Sequence, residues 1–262
     1  MTKSNCNSGF HTDFKSSVHL SLQGKGGVGK SLIASILCQH FIRRGLQVRA
    51  VDADPINQTL AQYKLLNATK LELLQDGTID QRAFDRLIEQ VLTQPGTYVI
   101  DTGASTFIPL WHYLLENDAL QFLKEQGHSV FVHTVITGGQ SLLDTLSGFN
   151  QLAESTREKN LIVWLNEYFG PVKQDGASFA DMAVYARHRE KLLGSVAFVR
   201  RNQDTYGRDI EQMISQKLSF QEAVASDQFT IMAKQRLKVV EQDLYSQLYK
   251  VWPESSAVGS RD

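Results

Sequence analysis

The sequence contains only two cysteines, Cys6 and Cys38, among 262 residues. Two isolated thiols build neither a disulfide framework nor a cysteine-based zinc cluster, and both fit a reducing compartment. Cys38 falls in an apolar helical pattern, where a buried free thiol is expected, and Cys6 lies in a polar leader. Long apolar runs are missing as well. No stretch of about 18 apolar residues occurs, so no transmembrane helix is expected. The polar run at 1–17 lacks the apolar centre of a secretory signal. These absences predict a cytoplasmic chain with no stable membrane insertion. An excess of one charge is also lacking: 27 Lys and Arg face 28 Asp and Glu, a formal net charge of -1. Any surface for nucleic acid must therefore be a local patch. The seven histidines are scattered without metal-ligand spacing.

What remains is ordinary globular composition, 42% hydrophobic and 21% charged, which excludes a disordered or fibrous chain. A β-type run at 18–22 ends in a glycine cluster. Residues 31–44 then carry Leu32, Ile33, Ile36, Leu37 and Phe41 at helical spacing, stopped by Gly45. A second strand follows at 48–52. Strand, glycine turn, helix and strand within about 35 residues form the βαβ unit of a parallel sheet. Further strands are expected at 98–101, 130–136 and 161–166, with a weaker one at 195–199. Helical patterns lie near 80–94, 107–126, 140–155 and 178–192, and the last third reads as helical near 207–225 and 228–250. The prediction is an α/β fold with a doubly wound, mostly parallel sheet and a helical C-terminal part. It forms a single domain over 18–252, with a flexible leader at 1–17 and a polar tail at 253–262.

The segment from Gly24 through Lys25, Gly26, Gly27, Val28, Gly29 and Lys30 to Ser31 matches G-x-x-x-x-G-K-[ST] at every fixed position. Glycines let the backbone curl so that its N–H groups face a triphosphate, and the next helix points its positive end at the anion. Lys30 suits the β and γ oxygens, the Ser31 hydroxyl suits Mg²⁺, and Leu32 continues the loop into the helix. The same segment matches G-x-G-x-x-G through Gly24, Gly26 and Gly29, with Asp52 about twenty residues on, as in a dinucleotide fold. Three features favour the mononucleotide reading: Lys-Ser directly after the last glycine, a second acidic strand end at Asp101, and the extra Lys25. A glycine turn without a ligand leaves the entropic cost of so many glycines unexplained.

Ligands of doubly wound sheets sit at the carboxyl ends of the strands. Asp52 and Asp54 end one strand there, Asp101 and Gly103 another, and Asn166 a third. Asp101 is the candidate to hold Mg²⁺ through water, and Asp54 to orient the attacking water. Asp52 reads as a more distant metal group. Gly103 offers an N–H for the γ-phosphate, and Asn166 a contact to the base edge. A lone aspartate at a strand end is usually a cap or turn residue. Three in register with a phosphate loop argue for a site.

Lys25 to Ser31, together with Asp52-Ala53-Asp54-Pro55, resembles the deviant Walker A ATPases of the ParA/MinD kind. That resemblance implies an ATP-dependent homodimer in which Lys25 reaches the nucleotide of the other subunit. It assigns hydrolysis to Lys30 and Asp54, metal to Ser31 and Asp101, and base contact to Asn166. The runs Leu22 to Gly27, Val51 to Asn57, Ile100 to Ser105, His133 to Gln140 and Val163 to Asn166, with Thr205 to Asp209, are similar to the TraL-type proteins of plasmid conjugal transfer regions. This implies an ATPase acting in DNA transfer or plasmid positioning, with DNA or another conjugation or partition protein as partner. Two departures fall in the switch regions: Ile56-Asn57 stand where ParA-like chains carry Gln-Gly, and Gly103-Ala104 where they carry two prolines. Hydrolysis rate and partner response are the properties these changes touch. An ATP-binding scaffold with negligible turnover and a metabolic P-loop ligase are the other readings. The iron–sulfur branch sharing this loop is excluded, because no cysteine follows Cys38.

Four further features read more simply. Gly138-Gly139 fits either an αL turn or a close approach of a helix to a ligand. His112 beside Trp111 and Tyr113 reads as packing. The apolar stripe of the last helix, Ile231 to Leu248, reads as docking on the sheet rather than on a membrane. Arg187, Arg189, Lys191, Arg200 and Arg201 read as a solvated face in preference to a DNA surface.

Overall fold

A computed structural model describes residues 16–253. Cys6, and the expected leader and tail apart from their inner ends, lie outside the described residues. Seven parallel strands form the central sheet: β1 (Ser17–Ser21), β2 (Val48–Ala53), β3 (Thr69–Lys70), β4 (Thr97–Thr102), β5 (Ser129–Thr137), β6 (Leu161–Asn166) and β7 (Leu192–Phe198). Their order is β7-β6-β5-β1-β4-β2-β3, and every pairing is parallel. From β1 the chain first extends the sheet to one side through β2, β3 and β4. It then crosses to the other side through β5, β6 and β7. The switch in direction opens a crevice at the carboxyl end of β1, where ligands of such sheets bind.

Among the described residues, nine α-helices cover the two faces: α1 (Lys30–Arg43), α2 (Arg82–Thr93), α3 (Ala104–Glu116), α4 (Ala119–Glu125), α5 (Leu142–Ser155), α6 (Ala183–His188), α7 (Arg208–Ser215), α8 (Phe220–Ala225) and α9 (Ile231–Val251). Because both faces are covered, the strands read as continuous apolar runs, and alternate residues serve different cores. On β4, Tyr98 and Ile100 join the core beneath α2, α3 and α5. Val99 between them joins the core beneath α1 and α9. Full burial of each such side chain contributes about 1.5–3 kcal/mol.

Several elements depart from the periodic reading. The pattern at 107–126 is two helices, α3 and α4, broken where Asp118 takes a left-handed φ of 48°. The pattern at 207–225 is likewise two, α7 and α8. Lys217 has a φ of 55° between them, and Ser219 with Glu222 forms a capping box that restarts the chain as α8. The pattern at 178–192 yields only the six-residue α6 flanked by single 3₁₀ turns. The weak strand near 195–199 begins earlier, at Leu192. The last helix docks on β7 and α8, burying Leu237, Val240, Leu244 and Leu248, whereas Ile231 at its start is 85% exposed. His112 is exposed rather than packed. Arg201 pairs with Asp243 and Arg189 with Glu190, while Lys191 Nζ donates to Ala153 O. Among the described residues no helix is long and apolar enough to cross a membrane.

Candidate nucleotide site

The loop between β1 and α1 lies in the crevice. Gly27 and Gly29 have φ of 73° and 104°, a region that side-chain-bearing residues rarely occupy. At Gly29 a Cβ would also lie 3.0 Å from Asn166 Nδ2. Gly26 is different: its φ is not left-handed, and a Cβ there would meet nothing within 4 Å. No neighbour among the described residues requires that glycine. The space above it fits a phosphate approaching the backbone closely, with the free N–H groups of α1's first turn beside it.

The loop is held from below by Gln23, which sequence reasoning passed over. Its buried Nε2 donates to Val135 O (2.9 Å) and Thr145 O (3.2 Å), while Oε1 accepts from Gly24 N (2.9 Å). One side chain thus ties the loop to β5 and α5. Only its place directly before the motif could have signalled this.

The two lysines point to different places. Lys30 is buried, and its Nζ donates to Lys25 O at 3.0 Å, spanning the loop. Burial lowers its pKa, and the Asp101 and Asp54 carboxylates push it back up. Lys25 is exposed, and its Nζ lies 2.7 Å from Asp144 Oδ2 on the first turn of α5.

The acids stand at one level, since Asp52 and Asp101 are register partners on β2 and β4. Asp52 is engaged by its own loop: Oδ1 accepts from Asp54 N (3.0 Å) and Oδ2 from Ala61 N (2.9 Å). Asp54 is engaged as well. Oδ1 accepts from Ile56 N (2.9 Å) and Asn57 N (3.1 Å), and Oδ2 from Asn57 Nδ2 (3.1 Å). Its carboxyl group rests on Gly103, where a Cβ would come within 2.7 Å of it. That contact favours a residue without a side chain at this position.

Asp101 is the exception. Both its oxygens are fully buried with no hydrogen-bond partner among the described residues. Burial raises its pKa to about 7. The Ser31 hydroxyl pulls the value back, without meeting hydrogen-bond geometry, Asp52 adds repulsion, Lys30 opposes it, and Asp54 adds more. A buried carboxylate with all its lone pairs unspent, beside a serine hydroxyl, fits a hard divalent cation and its water shell. Ser31 and Asp101 would hold Mg²⁺ there.

Beside the loop is a cavity of about 250 Å³, walled by Gly27, Gly29, Leu32, Asn166, Tyr168, Phe169, Phe198, Glu211, Ile214 and Ser215. Its apolar walls and position next to the glycines suit a base. Asn166 stands at its edge with both ends of its amide in use. Nδ2 donates to Val28 O (2.9 Å), and Oδ1 accepts from Tyr168 N (3.1 Å). The Gly138-Gly139 pair lies under the same wall. A Cβ at Gly138 would come within 2.2 Å of Gly170 O, and one at Gly139 within 2.9 Å of Phe169 O. The pair serves a close backbone approach to the 169–171 loop. A larger groove of about 630 Å³ between α1, α8 and α9 is lined by none of these groups.

The sequence profile of the CobQ/CobB/MinD/ParA nucleotide binding domain matches residues 21–227. Two Escherichia coli proteins named TraL are 43% and 41% identical over 232 residues, each alignment spanning 88% of this chain and 96% of the relative. Among solved structures, the MinD cell division protein of Aquifex aeolicus matches with a TM-score of 0.50 at 17% identity, covering 88% of this chain and 97% of MinD. That likeness shows a shared fold. On the phosphate loop, the acidic strand ends and these matches, the chain belongs to the CobQ/CobB/MinD/ParA nucleotide-binding family.

Proposed function

We propose that this protein binds Mg·ATP and acts as a slow, partner-stimulated ATPase whose nucleotide state switches it between monomer and homodimer. The similarity to TraL proteins supports a role in plasmid conjugal transfer or plasmid partition, in the cytoplasm and with DNA or a protein of that machinery as partner. The observation that carries the reading is the divergence of the two loop lysines. Lys30 is buried within the loop, and Lys25 is exposed at its rim, where a second subunit can meet it.

The residues divide the work by position. Backbone N–H groups of Gly26, Gly27, Val28 and Gly29, with the start of α1 at Lys30, Ser31 and Leu32, receive the phosphates. Lys30 moves from Lys25 O to the β and γ oxygens. Asp52 shapes the loop that carries Asp54 and lies near the metal. When bound, Mg²⁺ supplies charge neutralisation on the β and γ phosphates. Asp54 accepts a hydrogen bond from the attacking water. That water forms the new bond to γ-phosphorus while the bond to the β,γ-bridging oxygen breaks. ADP takes the electron pair, and the water proton ends on the inorganic phosphate. The Gly103 N–H and Lys25 of the other subunit stabilise the charge that develops.

The reading is tested by light scattering in Mg²⁺ with no nucleotide, ADP or ATP, alongside phosphate release. ATP is expected to dimerise the wild type but neither Lys25→Ala nor Lys30→Ala, and Asp54→Asn is expected to abolish turnover. Tight ATP binding with no change of mass sinks the switch. A second reading is favoured by the engagement of Asp54 in its own turn: an ATP-binding scaffold with negligible turnover. Equal phosphate release from wild type and Asp54→Asn would select it.

A further inference from the structure

The loop after β2 carries a feature the phosphate chemistry leaves unused. Asp54 Oδ1 accepts from two backbone N–H groups, Ile56 N and Asn57 N, which fill both of its in-plane lone pairs. The oxygen left to meet a water is Oδ2, and the side-chain amide of Asn57 donates into it at 3.1 Å. Gly103 lies against the same carboxyl group, where a Cβ would come within 2.7 Å of Oδ1 and 3.2 Å of Oδ2. Asn57 is itself fixed in place. Gln62 Nε2 donates to Asn57 O (3.2 Å) and reaches Gln58 O (3.4 Å). Gln58 holds a left-handed φ of 44°, a conformation that costs a side-chain-bearing residue energy and persists only when braced. The restraint is open to the outside, because Asn57 is exposed and the neighbouring Ile56 is 74% exposed.

We propose that Asn57 is a positioning residue that restrains hydrolysis, by donating its side-chain amide into one of the two lone pairs of the Asp54 oxygen left to receive the attacking water, which weakens that oxygen as an acceptor. The inference rests on the hydrolytic role proposed for Asp54. A group that contacts Ile56 and draws the Asn57 amide away frees Oδ2 without touching the nucleotide. An exposed hydrogen bond of ordinary net strength corresponds to a change of roughly three- to tenfold in rate when removed.

The test uses the full-length protein with saturating Mg·ATP, following phosphate release, and ATP affinity by calorimetry. The variants are Asn57→Ala, Gln62→Ala, Asp54→Asn and the double variant Asn57→Ala with Asp54→Asn. Asn57→Ala is expected to raise kcat roughly three- to tenfold with ATP affinity and melting temperature unchanged, and the double variant to fall back to the rate of Asp54→Asn. Gln62→Ala, which keeps the amide but removes its brace, is expected to give a smaller rise, and it decides the matter if Asn57→Ala does not fold. A wild type faster than Asp54→Asn, with Asn57→Ala at or below the wild-type rate, overturns the restraint and leaves the ATPase reading intact. If no variant, Asn57→Ala included, exceeds Asp54→Asn, the ATPase reading fails and takes the restraint with it.

Discussion

Trp164 donates its indole N–H to Nδ1 of His133 at 3.1 Å in the core beneath α1 and α9. Because an indole nitrogen can only donate, this bond fixes the neutral imidazole of His133 with its proton on Nε2. That proton faces His19 Nδ1 at 3.0 Å, and His19 Nε2 in turn faces Ser17 Oγ at 3.2 Å. Three neighbouring strands, β1, β5 and β6, are thus joined by a one-directional chain of hydrogen bonds that works only with both imidazoles uncharged.

Acid should therefore unfold the protein early. Burial lowers the pKa of His133 to about 3. Burial, then Arg44 and Arg43, does the same for His40, and His19 lies well below its ordinary value through burial, His133 and His40. Each folded pKa is below the unfolded one, so the unfolded chain takes up protons first. The stability these groups contribute is complete above pH 6.5 and is lost as pH falls toward 3. At pH 5.5 His133 and His40 each cost on the order of 1 kcal/mol, and His19 acts in the same direction. Asp101 acts oppositely, since its folded pKa is raised and its contribution grows as pH falls through about 7. Urea melts of Asp101→Asn at pH 7.5 and 5.5 isolate the histidines. An unchanged midpoint would contradict the neutral network.

Asp101 is also an unspent charge in the core. Asp101→Asn removes the cost of burying an ionised group, so the ligand-free protein should melt roughly 2–4 °C higher at pH 8. The same variant should lose the Mg²⁺ dependence of ATP affinity. Higher stability with an unchanged Mg²⁺ dependence would remove Asp101 from the metal site.

Lys25 and Asp144 pair in the open, with side chains 43% and 56% exposed, so the pair adds little to the stability of the monomer. Asp144→Ala should shift the melting temperature by under about 2 °C. It should also release Lys25, so that ATP-driven dimerisation in light scattering occurs at lower protein concentration. Dimerisation that weakens instead would make Asp144 a contact of the dimer.

The parts of this site that lie close in sequence were legible, as were those set by strand register. Lys30 and Ser31 follow from spacing, and Asp52 and Asp101 from a parallel sheet that puts strand ends level. Contacts across long separations were not. Nothing around Lys25 names Asp144, 119 positions away. The histidine chain requires knowing that β5 neighbours β1, and seven scattered histidines gave no pattern for it. Helix breaks at Asp118 and Lys217 escaped because their left-handed backbones belong to residues that also occur within helices. The two-residue β3 is too short to carry a period. Asn57 was noted only as a departure from a family pattern, since its partner is a side chain three residues away on a turn no periodicity describes.

The cavity beside the phosphate loop offers a last test, because Asn166 and Gly138 support its wall from two sides. Asn166→Ala removes the bond that holds Val28 O and the acceptor for Tyr168 N, while leaving the glycines free to turn. Loss of one or two such bonds weakens binding by about 1–3 kcal/mol, roughly 5- to 150-fold in ATP affinity. Gly138→Ala touches no atom of the cavity, yet its Cβ would press within 2.2 Å of Gly170 O and 2.5 Å of Pro171 O. The backbone carrying Phe169 has to move away. Calorimetry with ATP and with inorganic triphosphate separates the two effects. Gly138→Ala should weaken ATP but not triphosphate, because the phosphate loop is untouched, whereas Asn166→Ala should weaken both. If Gly138→Ala binds ATP as the wild type does, the cavity is not where the base sits.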